Sequence, residues 1–160
     1  MGYAKMGQFL HLLTNSGIGL PTDLWVPATE KIKPQFSDQI AAGYARTFSD
    51  KFEVSLEGYY KTMDNLIEYK DGASFFDNET DWQDKVHIGR GWSYGGELLI
   101  EKKIGKTTGW IGYTLSWTNR QFDSINFGQS YPYRYDRRHD IGIAVTHEIN
   151  ERINIGVVWV

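Results

Sequence analysis

Residues 89–122 read GRGWSYGGELLIEKKIGKTTGWIGYTLSWTNRQF, and the alternation within them sets the fold class. Before the turn at Gly105-Lys106-Thr107, one face of the chain carries Trp92, Tyr94, Gly96, Leu98 and Ile100. The opposite face carries Ser93, Gly95, Glu97, Leu99 and Glu101. After the turn, Ile111, Tyr113, Leu115 and Trp117 alternate with Gly112, Thr114, Ser116 and Thr118. A period of two is the period of a strand, because successive Cβ atoms point to opposite sides of the backbone. Two such runs joined by a short glycine-containing turn predict an antiparallel hairpin.

The same pattern extends in both directions. Phe52, Val54, Leu56, Gly58 and Tyr60 alternate with Glu53, Ser55, Glu57, Tyr59 and Lys61. Ile141, Ile143 and Val145 form a fourth run, and Ile153, Ile155, Val157 and Trp159 a fifth. Weaker strands are expected near 6–13 and 37–47, giving about seven, with the better runs about 9–13 residues long against a usual length of about 5–6. Short turns fall at 48–51, 105–107 and 148–151, whereas long, polar, aromatic-rich loops fill about 14–36, 67–91 and 121–136. This rhythm predicts an all-β, antiparallel up-and-down meander with its short turns at one end and its long loops at the other.

Composition narrows the class. The chain has 160 residues, enough for one domain, and a net charge of −3. With a pI near 5.8, it lacks the basic face that a nucleic-acid partner needs. Without cysteine it has no disulfide or thiolate metal site. Mean hydropathy is −0.46, and no apolar run reaches the roughly 18 residues of a spanning helix. MGYAKMGQFL lacks the basic and apolar regions of a signal peptide, so an exported protein would carry its address outside these residues.

Alternation alone fits either a water-soluble β-sandwich or small barrel, or a membrane barrel, since each has one apolar and one polar face. Three features favour the membrane. A strand of about 10 residues tilted near 45° rises roughly 25 Å, the height of the apolar band of an outer-membrane barrel. The loops alternate as they do in such barrels, and aromatics gather at both ends: Tyr60, Trp92, Tyr94 and Trp117 toward the long loops, Phe48 and Phe52 at a short turn. On this reading Leu115 faces lipid and Ser116 the lumen. Trp110 has the parity of the polar face, which requires a bulge if it belongs to the aromatic set. Glycines within the strands (Gly43, Gly58, Gly95, Gly96, Gly112, Gly142, Gly156) suit a curved wall.

Four segments resemble one family in the right order. LHLLTNSGIGLPTDLWVPATEKIKPQFSDQIAAGY (10–44) is similar to a loop returning to a strand through a P-x-D-x-W-x-P … I-K-P pattern. YKTMDNLIEYKDGA (60–73) resembles a strand that climbs to a long outer loop, and 89–122 resembles that family's long hairpin. FGQSYPYRYDRRHDIGIAV (127–145) resembles its Y-P-x-x-Y-D-R-R-H-D strand start. The family is the TonB-dependent outer-membrane receptors of Bacteroidetes-like bacteria. The resemblance implies a 22-stranded barrel around an N-terminal plug, driven by a TonB complex. Such receptors import iron–siderophore chelates, cobalamin or oligosaccharides across the outer membrane, some with a surface lipoprotein partner. Residues 1–160 show no plug or TonB box and about a third of the strands, and the chain stops in mid-strand at Val160 without a terminal aromatic. It is therefore expected to be one partial domain, an internal fragment of the later, C-terminal part of the barrel. The alternative is a soluble carbohydrate- or ligand-binding β-domain.

The chemistry-bearing clusters point to binding rather than catalysis. His139-Asp140 has the letters of a metal phosphohydrolase pair, but no further ligands follow at helical spacing. The knot Asp136-Arg137-Arg138-His139-Asp140 is expected to tie neighbouring strands through charge-assisted hydrogen bonds, with Arg138 and Asp140 on the lumen side and His139 near the interface. In the acidic stretch 64–84, Asp77-x-Glu79-x-Asp81 has the alternation of a calcium loop, yet Trp82 stands where glycine is needed and Ile88 where the closing glutamate belongs. A solvated loop is expected instead. Asn78-Glu79-Thr80 has the form of a glycosylation sequon, which is without meaning in a bacterial protein. Glu53, Glu57, Glu97 and Glu101 are expected to line a hydrated interior. Neither an enzyme activity, a cofactor nor a metal is expected. Ligand contact is assigned to the aromatic loops, which also hold Phe75, Phe76 and Phe122, and within them to Trp82, Phe127, Tyr131, Tyr133 and Tyr135, with Arg137 beside them.

Overall fold

The computed structural model describes residues 1–14, 23–70, 73 and 81–160. Its centre is the hairpin of 89–122. β6 (Val86–Lys102) and β7 (Thr107–Phe122) pair antiparallel with Glu97 opposite Thr114. β5 (Phe52–Tyr69) lies on the other side of β6, and β4 (Gln35–Phe48) beside β5. β1 (Gly2–Gln8) completes that edge. Beyond β7 come β9 (His139–Asn150) and β10 (Ile153–Trp159). The order β1-β4-β5-β6-β7-β9-β10 is an up-and-down meander. Short turns join β4 to β5, β6 to β7 and β9 to β10 at one end, and all the long connections lie at the other. Among the described residues the sheet is open: β1 pairs only with β4, and β10 only with β9. No helix among the described residues is long and apolar enough to cross a membrane, which does not bear on crossing by strands.

Two expected elements change. The strand read at 6–13 is two strands, β1 and β2 (Leu10–Thr14), broken at Phe9, whose carbonyl accepts from the Ala28 N–H at 2.7 Å. β2 forms a separate hairpin with β3 (Asp23–Pro27), which lies within what reads as a loop. The central strands are also longer than their alternation, with 18 residues in β5 and 17 in β6. Their hydrogen-bonded ladders continue past the apolar stripe into sequence that is polar or apolar on both sides.

Register gathers the apolar residues onto one face. Tyr44, Leu56, Leu98, Tyr113 and Ile141 form one row across five strands. Arg46, Val54, Ile100, Ile111, Ile143 and Trp159 form the next. Ile40, Tyr60, Tyr94 and Trp117 form a row nearer the long loops. A slip of one residue would scatter these rows to the opposite side. Among the described residues nothing covers the face, and Tyr44 and Leu56 are 66% and 60% exposed.

Trp110 requires no bulge. It stays in register on the polar face, opposite Glu101 and Ala144. Its ring lies over two glycines of that face; a Cβ on Gly142 would stand 3.0 Å from the indole. Gly112 and Gly142 leave the room the ring fills.

The buried apolar side chains among the described residues (Leu13, Val26, Ile32, Leu66, Ile67, Val86 and Phe122) all lie at the long-loop end. Here a β-bulge at Asn65, with φ of 58°, shifts the register between Asp64 and Leu66. The extra residue turns Ile67 toward the apolar-face side, where Leu13, Val26, Ile32 and Val86 form a small core with it. Asn65 also ties down this strap of β2, β3 and 28–34, donating from Nδ2 to the Pro34 carbonyl at 2.8 Å. His11, buried in the strap, has Nε2 at 3.1 Å from the Lys33 carbonyl. Burial lowers its pKa, opposed by that hydrogen bond. The apolar face is thus covered by protein beyond the Tyr60-Tyr94-Trp117 row and bare below it.

Candidate functional site

The polar-face parity of β7 continues through Thr118, Arg120 and Phe122, and the bulge brings Glu68 of β5 to the same side. The third connection returns over these residues. Its two-residue strand β8 (Tyr131–Pro132) pairs with β7, setting Tyr131 opposite Arg120. The Tyr131 hydroxyl donates to Glu68 at 2.9 Å, and the Arg120 guanidinium lies 3.6 Å from the same carboxylate. Burial, then the Glu68 carboxylate, holds the Tyr131 phenol well above the usual tyrosine range, so it stays protonated and donating. Beneath it Phe122 is fully buried, with ring centroids 6.4 Å apart. Gly89, opposite Phe122, has no room for a side chain: a Cβ there would sit 2.4 Å from the Phe122 ring.

The aromatic set continues outward. Arg120 stacks 3.5 Å from the centre of the Tyr133 ring, and Tyr133 meets Tyr135 edge-on at 5.2 Å. Arg134 lies 5.0 Å from the Tyr135 ring centre. Tyr133 is itself anchored by its N–H, which donates to the Thr118 carbonyl at 2.8 Å. At the loop tip, Asn126 and Phe127 have φ of 51° and 55°. Phe127 is completely exposed. Gln121 holds the base of this tip, donating to the Gly128 carbonyl at 2.7 Å and accepting from Arg90 at 3.0 Å.

Of the residues assigned to ligand contact, Tyr131, Tyr133 and Tyr135 come together around Arg120. Phe127 stands alone at the tip. Trp82 lies in the 3₁₀ turn Trp82–Lys85 and packs half-buried against the strap core, so its indole supports the fold there. The Arg137 side chain is 81% exposed and pairs with Asp140 at 3.8 Å. Phe75, Phe76, Asp77 and Glu79 lie outside the described residues. Asp81, the remaining member of the calcium-like triplet, accepts from the Gln83 N–H at 3.2 Å. Among the described residues no three acidic or histidine side chains gather as a metal site would require.

The charged knot ties strands as its composition suggested. Asp136 accepts from the Thr118 N–H at 2.8 Å and pairs with Arg138 at 3.0 Å. The Ser116 hydroxyl donates to the Arg137 carbonyl at 3.0 Å, and the Tyr113 hydroxyl lies 2.8 Å from His139 Nδ1. Asp140 has polar-face parity opposite Thr114. Arg138 does not follow it: its guanidinium lies 4.9 Å from the Trp117 ring centre, on the apolar-face side. Position 138 precedes the ladder, so strand parity does not bind it, and the indole and Asp136 set its direction.

On the polar face Glu53 stands opposite Glu101, and Glu57 opposite Glu97. Lys103 bridges the first pair, at 2.5 Å from Glu53 and 3.4 Å from Glu101. These are structural contacts.

Sequence reasoning missed Arg120 as a site residue and left Glu68 within a solvated acidic run. The signal for Arg120 was its alternation with Thr118 and Phe122. The signal for Glu68 was the adjacent apolar pair Leu66-Ile67, which marks a segment buried on both sides. Together the described residues define an antiparallel sheet with one largely uncovered apolar face and an aromatic–arginine cluster at its long-loop end. No protein-family model, curated protein or solved structure matches the chain.

Proposed function

We propose that the chain is a section of the barrel wall of a TonB-dependent receptor-transporter in a bacterial outer membrane. The apolar face meets outer-membrane lipid and the polar face lines the barrel interior. The uncovered apolar face carries this reading. From Trp92 to Lys102 the stripe runs about 33 Å along the strand, roughly 25 Å of rise at a tilt near 40°, matching the apolar band of such barrels. The strap core begins where that band ends. The open edges of β1 and β10 take further wall strands, and a plug with its TonB contact comes from residues other than these. The surface built on Tyr131, Tyr133, Tyr135 and Arg120, with Phe127 at the tip, receives the small-molecule or oligosaccharide ligand, such as an iron–siderophore or cobalamin. A surface lipoprotein partner would act at the same end.

Topology tests this reading; residues 1–160 contain no cysteine, and any cysteine elsewhere in the full-length protein is replaced by serine for the test. In intact cells producing the full-length protein, Ser124→Cys in the loop after β7 is expected to react with an impermeant thiol reagent. Ser49→Cys in the turn between β4 and β5 is expected to stay unlabelled until the cells are opened. Labelling of Ser49→Cys in whole cells at the rate of Ser124→Cys contradicts the assignment.

A further inference from the structure

The apolar face carries cations at both ends, and the two ends differ. At the long-loop end Arg138 is paired with Asp136 and Arg137 with Asp140, while Arg90 donates to the neutral Gln121. At the short-turn end Arg46 lies 5.1 Å from the Phe48 ring centre and Lys102 Nζ lies 5.6 Å from that of Phe52. Phe48, Phe52 and Lys102 are consecutive across β4, β5 and β6, so the four side chains form one patch. Neither cation makes an ion pair among the described residues. Of the acids at this end, Glu53 and Glu101 point to the opposite face and are held by Lys103, and Asp50, Glu148 and Glu151 form no ion pair with Arg46 or Lys102.

We propose that Arg46, Phe48, Phe52 and Lys102 form a binding patch for the phosphate of anionic phospholipid headgroups in the periplasmic leaflet. The proposal rests on the membrane-wall reading. Long cationic side chains at the edge of an apolar band lay their stems along it and place their charge at headgroup level. The Phe48 and Phe52 rings hold both cations there by cation–π attraction. A guanidinium can then take two phosphate oxygens at once, while the ammonium acts as a point charge. Asp140 and Asp136 neutralise Arg137 and Arg138 at the long-loop end, so selectivity for anionic lipid is assigned to the short-turn patch, where two unpaired cations sit side by side.

The test uses the full-length protein in detergent micelles doped with equal amounts of phosphatidylglycerol and phosphatidylcholine, with retained lipid counted by native mass spectrometry. One cation near an anionic headgroup is worth roughly fivefold, so the wild type is expected to favour phosphatidylglycerol by roughly 25-fold. Arg46→Gln and Lys102→Gln should each lower that ratio about fivefold and the double variant should abolish it, with Arg137→Gln leaving it unchanged. Heat-modifiable gel mobility verifies that each variant is folded. Equal retention of the two lipids by the wild type, or an unchanged ratio in the double variant, overturns the proposal. If that happens while the cysteine topology holds, the patch alone fails. If the topology fails too, the wall reading falls with it.

Discussion

Leu56→Arg in the full-length protein is expected to cost about 2–4 kcal/mol of stability in the bilayer, the range for a cation at the midplane of a barrel's lipid face. Leu56 sits between Tyr44 and Leu98 in the central apolar row, away from both aromatic ends. Its 60% exposure means that no protein atoms would be displaced by a longer side chain. In water such a substitution would be nearly neutral, so the penalty reports the solvent that the face meets. Ser55→Arg, one residue away on the polar face, is the control and should cost far less. Equal loss of folded protein for both, measured by heat-modifiable mobility across a urea series, would show that the faces are wrongly assigned.

Gly109→Ala is expected to be as damaging for a reason independent of the membrane. Gly109, near the start of β7, has φ of 148°, in the region that L side chains rarely adopt, and pairs with Lys102 and Val145. A Cβ there would stand 2.1 Å from the Ala144 carbonyl oxygen and 2.7 Å from Val145 Cα. Those contacts are with backbone and cannot be relieved by a rotamer change. The strained φ and the overlap together are worth about 2–4 kcal/mol. The β6–β7 turn and the start of the β7–β9 ladder should open first. Amide hydrogen exchange checks this: Val145 and His147 should lose protection while the β5–β6 ladder keeps it. Full protection at both positions would mean that the backbone accommodates the methyl.

The sheet was legible because one signal, alternation, was repeated in five long runs whose register then brought like with like. Ile100 and Ile111 fall in one row because the turn between β6 and β7 is short enough to fix the pairing, and Ile143 joins that row across a long connection through the β7–β9 ladder. The outer ends of the strands were not legible. Beyond Trp92 and Thr118 the side chains no longer alternate in polarity, because chain packs on both sides of the sheet there. Asn65 is the clearest case: a single residue in the left-handed region reverses the parity of Leu66, Ile67 and Glu68, and only the ladder reveals it. In the strap, β2 reads in the sequence as part of one strand at 6–13, and β3 reads as loop because it is only five residues long.

The candidate site divides in the same way. Tyr131, Tyr133 and Tyr135 were visible as an aromatic cluster in one loop. Arg120 and Glu68 join them only because the register across β5, β6 and β7 places two ladder positions on the same side, and no local motif records that. Trp82 had the composition of a ligand residue, but the core it packs against is built from distant segments. Trp110 shows the reverse: its anomalous parity in the sequence was correct, and Gly112 and Gly142 explain it.

The central claim is that the apolar face is built to meet lipid, and the association state of residues 1–160 in water tests it most directly. Expressed alone, the chain has the row of Tyr44 and Leu56 and the row of Ile111 bare and, among the described residues, two unpaired sheet edges, the combination that drives strand-to-strand association. Size-exclusion chromatography with light scattering in detergent-free buffer is expected to show aggregates and no monomer peak. A monomeric 18.4 kDa species that unfolds cooperatively in the same buffer would contradict the account and favour a soluble ligand-binding β-domain.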